Sequence, residues 1–179
     1  MKTDVHEIFK MLGSDDLLHQ ISGINAAREL IDQIVQRSVQ ILFSAPKENA
    51  FAISDRLFAM GPVVAPELER HLRTGGEPEA MTYAALILMQ FGSRAGVPLL
   101  LQALREGSGA SGAIATQLAA ADVAGAGEAI TDALKRWPLC KDPYTAVTMI
   151  SALRTLNASV PDEVLRELNL AAPEIRKLL

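Results

Sequence analysis

The sequence predicts an all-α chain in which about four to five helix pairs stack into an α-α superhelix, a solenoid. Two recurring residue patterns carry this expectation. A third observation, the lack of alternating apolar and polar segments flanked by hairpin turns, removes strands. The first pattern emerges when Ala65-Pro-Glu-Leu-Glu-Arg-His-Leu-Arg73 is aligned with Val97-Pro-Leu-Leu-Leu-Gln-Ala-Leu-Arg105 and Gly127-Glu-Ala-Ile-Thr-Asp-Ala-Leu-Lys135. Leu72, Leu104 and Leu134 fall 32 and 30 residues apart, and a fourth copy ends at Leu168. Each has an aliphatic residue four positions earlier, at Leu68, Leu100, Ile130 and Val164, so two apolar side chains share one helical face. The second pattern marks the preceding helix. Leu57, Leu88, Leu118 and Leu153 are each followed four residues later by Gly61, Gly92, Asp122 and Asn157, residue types that tolerate the left-handed backbone ending a helix. From stop to second-helix leucine the spacing is 11, 12, 12 and 11 residues, and the two ladders support one another.

The elements follow in order. Asp4-Val-His-Glu-Ile-Phe-Lys-Met-Leu12 predicts a short leading helix ended by Gly13. Ser14-Asp-Asp-Leu-Leu supplies an N-cap with acidic residues behind it, and apolar positions continue through Ile24, Leu30, Ile34 and Ile41 to Phe43. Residues 1–44 are thus read as a divergent N-terminal cap and first pair, residues 46–168 as regular repeats and residues 172–179 as a C-terminal capping helix, all in one domain of 179 residues. Terminal units of an array are expected to differ because they cover an exposed core edge. Pro62, Pro98 and Pro161 stand near the starts of second helices, where proline is tolerated. Tyr83-Ala-Ala-Leu-Ile-Leu-Met89 is the longest apolar run. It is too short to cross a bilayer, which takes roughly 20 residues, and reads as a buried core helix.

Composition bounds the functions. Hydrophobic residues make up 49% and aromatics 4%, so the apolar content comes mainly from small and aliphatic side chains suited to close helix packing. Lys and Arg total 17 against 21 Asp and Glu, a net charge of -4, which removes the broad attraction to phosphate on which nucleic-acid binding depends. The single cysteine and the absence of an apolar leader predict a cytoplasmic location.

The aligned segments resemble the short HEAT-like repeats of bacterial proteins, including those named for phycobilisome lyases: an Ala-rich first helix, a Gly or Asp turn, then Val-Pro-x-Leu-x-x-Leu. Gln90-Phe-Gly-Ser-Arg-Ala-Gly-Val-Pro-Leu-Leu-Leu-Gln-Ala-Leu104 matches best. The resemblance covers residues 50–168 well and residues 14–44 loosely; the signatures of ankyrin and tetratricopeptide repeats are missing. It implies an armadillo-like superhelix whose second helices line a concave side used for protein partners, and it implies no common chemistry. The stretched last repeat and Asp122 in place of a turn glycine depart from the pattern.

Motif matches yield to bland explanations. Gly107-Ser-Gly109-Ala-Ser-Gly112 spells a dinucleotide fingerprint, but a helix rather than a strand precedes it, so it reads as an inter-repeat loop. His6, His19 and His71 lack helical metal spacing, and the Asp16–His19 pair reads as a surface or capping interaction. Cys140, in an inter-repeat connection and without a placed base or cation, reads as structural, and Asn157-Ala-Ser159, an N-glycosylation pattern, as a helix stop.

The functional candidates are columns. Arg70, Gln102, Asp132 and Arg166 share one repeat position and Arg73, Arg105 and Lys135 another, so on concave second helices they form charged rungs; equally, cations near helix C-termini simply complement the dipole. Leu99, Leu100 and Leu101 run consecutively, and a helix cannot turn all three inward, so Leu99 or Leu101 is a candidate apolar contact, or else packs against a neighbouring helix or a dimer mate. The expected function is a non-catalytic scaffold or adaptor for another protein, with no catalytic constellation, no cofactor and no metal. The alternatives are an accessory protein of lyase or chaperone type handling a small ligand or chromophore, or a self-associating subunit of a larger assembly.

Overall fold

The computed structural model describes residues 4–173. Among these are ten α-helices, one 3-10 turn and no strand, so the chain is all-α. α1 (Val5–Leu12) and α2 (Leu17–Ser44) form an N-terminal hairpin. Eight helices follow, the expected first and second helices in alternation: α3 (Lys47–Ala59), α4 (Ala65–Thr74), α5 (Pro78–Gln90), α6 (Val97–Glu106), α7 (Ser111–Ala120), α8 (Ala126–Arg136), α9 (Pro143–Thr155) and α10 (Asp162–Ala171). Successive first helices touch, α3 with α5, α5 with α7 and α7 with α9, and α6 lies against α8 among the second helices.

The four residues that the sequence marks as helix stops all take a left-handed φ: Gly61 +80°, Gly92 +84°, Asp122 +46° and Asn157 +54°. At three of them the same pair of hydrogen bonds closes the helix. The amide after the stop donates to the anchoring leucine (Ser93 N to Leu88 O, 2.9 Å; Val123 N to Leu118 O, 3.1 Å; Ala158 N to Leu153 O, 2.9 Å). The stop's own amide donates one residue further on, to Met89, Ala119 and Arg154. This is the Schellman arrangement, and it consumes carbonyls that a helix end leaves without partners. The first stop differs for a covalent reason: Pro62 follows Gly61 and has no amide to donate, so the chain instead enters a 3-10 turn, Pro62–Val64, before α4.

Burial follows the two ladders. Leu57, Leu88, Leu118 and Leu153 are buried, as are Leu68, Leu100, Ile130 and Val164 and the later Leu104, Leu134 and Leu168; Leu72 is half-buried. Two core clusters result. One joins Val35, Val39 and Leu42 of α2 to α3, α4 and α5, and the other runs from α5 to α10. Both include α5, which buries eight of its thirteen residues around its whole circumference. Close packing of α5 on α6 is set at Gly96, where a methyl group would lie 2.4 Å from Ala85 Cβ and 2.7 Å from its Cα.

The stretch read as a divergent first pair is instead one unbroken helix of 28 residues, about 42 Å long, and its partner is α1. Gly23, within it, is no stop. A Cβ there would come within 3.0 Å of Leu12 N and Met11 Cβ, so glycine lets α1 approach. Asp16, two residues after the serine expected to cap, takes the N-cap of α2 through Leu18 N at 3.0 Å. Residues 172 and 173 follow α10, and the rest of the expected trailing helix lies outside the described residues.

Replacing Gly96 with Ala should lower stability by about 2 kcal/mol or more, because backbone rather than a flexible side-chain end must yield. Gly109→Ala, with nothing within 4 Å, should change it by less than ~0.5 kcal/mol. Asn157→Gly should raise stability by ~0.5–1 kcal/mol by removing the left-handed penalty. Urea unfolding midpoints of the three variants check all of this.

Candidate interaction surface

The second helices place the column residues on the surface, and the structure sorts them by partner. Arg70 is exposed but bound to its own helix, donating through Nε and Nη2 to both carboxylate oxygens of Glu67, with Nε–Oε2 at 2.9 Å. Gln102 donates to Glu106 at 2.8 Å and Arg166 to the Asp162 carbonyl at 3.3 Å, each within its own helix. Asp132 is exposed, and its carbonyl accepts from Arg136 Nε at 3.0 Å. Lys135 reaches across to Glu163 on α10 at 3.7 Å. Arg73 and Arg105 are exposed and make no ion pair or side-chain hydrogen bond among the described residues. Of the seven charged or amide rungs, these two cations and the Asp132 carboxylate are the side chains left without a partner among the described residues.

Neither Leu99 nor Leu101 stands out from the surface. Both are half-buried against the larger core cluster, and Leu99 faces a groove between α5 and α6 with Pro78 and Met81. Three consecutive leucines fit because neighbouring helices close over both flanks of the buried Leu100.

Around Arg105 the structure gathers residues that column reasoning missed. Arg105 and Arg136 line a cleft between the C-terminal ends of α6 and α8, floored by Leu104 and Ala133 and walled by Trp137 and Pro138. Trp137 is fixed there by its indole N–H, which donates to the Asp142 carbonyl at 2.9 Å. The signal for this grouping was present in Lys135-Arg136-Trp137, but only the stacking of α6 on α8 brings it to Arg105. Aromatics gather elsewhere as well: Phe51 lies 6.0 Å from Tyr83 and Phe58 stacks on Phe91 at 5.4 Å, lining a shallow groove on α3 and α5.

Two turns between helices are tied to their neighbours polar group to polar group. Ser93 Oγ donates to Glu69 on α4 at 2.7 Å, and Arg94 donates to the Ala121 carbonyl at the end of α7 at 2.9 Å. The motif residues have structural places. Gly107 ends α6 in a left-handed conformation, while Gly112 lies on α7 facing α9, where an added Cβ would make only ordinary contacts of 3.4–3.5 Å with Thr145 and Thr148. His19 Nδ1 lies 2.9 Å from Asp16 Oδ2, both exposed. Cys140 is exposed in the turn after α8, and it is its neighbour Leu139 that is buried. No cluster of His, Cys, Asp or Glu able to hold a metal occurs among the described residues, and none of their helices is long and apolar enough to cross a membrane. Comparison of the chain with protein-family models, curated proteins and solved structures returned no match.

Glu67 is the electrostatic centre of α4. The hydrogen bond from Arg70 holds its carboxyl below the usual range, with the charges of Arg70 and His71 adding to this and burial opposing it. His71 in turn stacks on Phe43 of α2 at 4.7 Å. A depressed folded-state value means that the contribution to stability is present above the ordinary carboxylate range and is lost as pH falls through the folded value. Glu67→Gln should therefore be less stable than the wild type at about pH 7, and the difference should be smaller at about pH 3, below the ordinary carboxylate value. Urea midpoints of both proteins at the two pH values measure it.

Proposed function

We propose that the chain is a non-catalytic interaction scaffold, a HEAT-like solenoid in which the C-terminal edge of the second helices receives an acidic segment of another protein. The observation that carries this reading is the unpaired Arg105 guanidinium at the mouth of a cleft that also holds Arg136 and Trp137, with the unpaired Arg73 on the preceding second helix. Arg105, with no ion-pair partner among the described residues and beside the Trp137 wall, suits a carboxylate-bearing chain: the charge sets attraction and register, and the indole supplies apolar contact area, while Arg73 adds a second such cation at the end of α4. The overall charge of -4 fits a local basic feature used for selectivity better than it fits a nucleic-acid groove. Repeated helix stops and repeated leucine pairs support a stiff array able to hold these groups in place.

Trp137 is the only tryptophan, so its fluorescence reports on the cleft directly. A short polyglutamate peptide should shift or quench that emission in the wild type, with the effect weakening as salt rises. In Arg73→Glu/Arg105→Glu it should fall at least about tenfold in affinity while far-ultraviolet circular dichroism stays unchanged. The same double reversal should lose partners recovered by affinity capture from native extract. Equal recovery by both proteins, or emission indifferent to polyglutamate, would remove this edge from the function.

A further inference from the structure

Ten of the fifteen large apolar side chains exposed among the described residues belong to α1 and α2, which contain only 36 of them. Phe9, Leu17 and Leu18 are each about two-thirds exposed or more, and Ile24, Ile31 and Ile34 about half. The cause is architectural. The C-terminal half of α2 buries Val35, Val39 and Leu42 against α3, α4 and α5, whereas the N-terminal half has only α1 beside it. Each of the ten is at least 37% exposed, a concentration of apolar surface on one hairpin of the kind that marks an interaction site.

We infer that the occupant is a second copy of the chain, whose hairpin packs against this one in antiparallel fashion to form a four-helix dimer interface. This surface is separate from the second-helix edge, and the inference does not rest on the reading given for that edge. Three features favour a second copy. The spacing of seven between Leu17, Ile24 and Ile31, and between Ile34 and Ile41, is that of a seam made for another helix. The seam is also self-complementary. An antiparallel pairing about residue 29 sets Ile24 against Ile34 of the second copy and Leu17 against Ile41, and the two-fold axis repeats both contacts. Finally, Ile41 already lies in a groove with Ile53, Met60 and Arg56 between α2 and α3, where the acidic end of the other α2, Asp15 and Asp16, would meet the Arg56 guanidinium. A lipid surface fits less well. Helices lying in a membrane interface carry a basic polar face, and residues 4–44 hold three Lys and Arg against six Asp and Glu.

Light scattering on the purified full chain over a micromolar concentration series should give twice 19.2 kDa. Ile24→Glu/Ile31→Glu should return it to the monomer mass with helicity kept, because both side chains already face water within one copy. Phe51→Glu, an equally exposed apolar position on α3, should leave the dimer intact. A second measurement fixes the geometry. With Cys140→Ser, the pair Ile24→Cys and Ile34→Cys lies about 15 Å apart along one helix, beyond disulfide reach, so oxidation should yield a covalent dimer and no internal bond. A monomer at every concentration would overturn the inference, as would a dimer indifferent to Ile24→Glu/Ile31→Glu or an absence of covalent dimer. Co-sedimentation of the wild type, but not of Ile24→Glu/Ile31→Glu, with phosphatidylcholine–phosphatidylserine vesicles would overturn it in favour of a membrane.

Discussion

The left-handed residue four positions after each first-helix leucine is the constraint on which the rest of the molecule depends. An α-helix that simply continued past Leu88 or Leu118 could not fold back on itself, and a disordered exit would leave carbonyls unpaired beside the core. Reversing φ at Gly92, Asp122 and Asn157 solves both problems with the same two hydrogen bonds, one of them to the anchoring leucine itself. The leucine therefore has two roles: its side chain fills the core and its carbonyl ends the helix. A fixed exit also fixes the distance to the next helix, which is why Leu104, Leu134 and Leu168 all arrive buried.

Legibility in the sequence divides along the range of the interactions concerned. The stops and the leucine pairs could be read because the backbone chemistry and the helical period responsible act over four residues. The Pro62 departure is equally local, being a missing amide. The continuity of α2 follows from the sequence having no clear turn between Ser14 and Phe43; it was the repeat pattern downstream that suggested a pair there, and the packing of α1 at Gly23 is a contact between helices that the sequence does not mark. Leu99 and Leu101 were legible as a surplus of apolar side chains, but which neighbours cover them depends on α5 and the stacked core. The column at Arg70 and Gln102 was visible as a repeat position, whereas its occupation by Glu67 and Glu106 depends on side-chain rotamers one turn away.

The polar surface is thus more discriminating than a count of cations suggests. Arg70, Gln102, Arg166 and Lys135 spend their donors inside the molecule, on their own helix or on a neighbouring one. Glu69 with Ser93 and Arg94 with Ala121 do the same at the turns. What remains available is small and placed at helix ends, beside the one indole. Specificity on such a surface comes from position, because few groups are free and those few are held by a packed framework.

The envelopment of α5 has a consequence for how the molecule comes apart. An array of repeats coupled only to nearest neighbours can fray from either end while its middle persists. Here both cores share one helix that buries eight of its thirteen residues, so neither can dissolve without stripping the other of a wall. The segment from α3 to α10 is expected to open as one unit, and within a single copy the free half of the α1–α2 hairpin, anchored in neither core, as a second, weaker one. Amide exchange would show the division: protons within α5 released only when the whole body opens, and those near Leu17 to Ile24 released early in the monomeric Ile24→Glu/Ile31→Glu variant and held back where a second copy covers them.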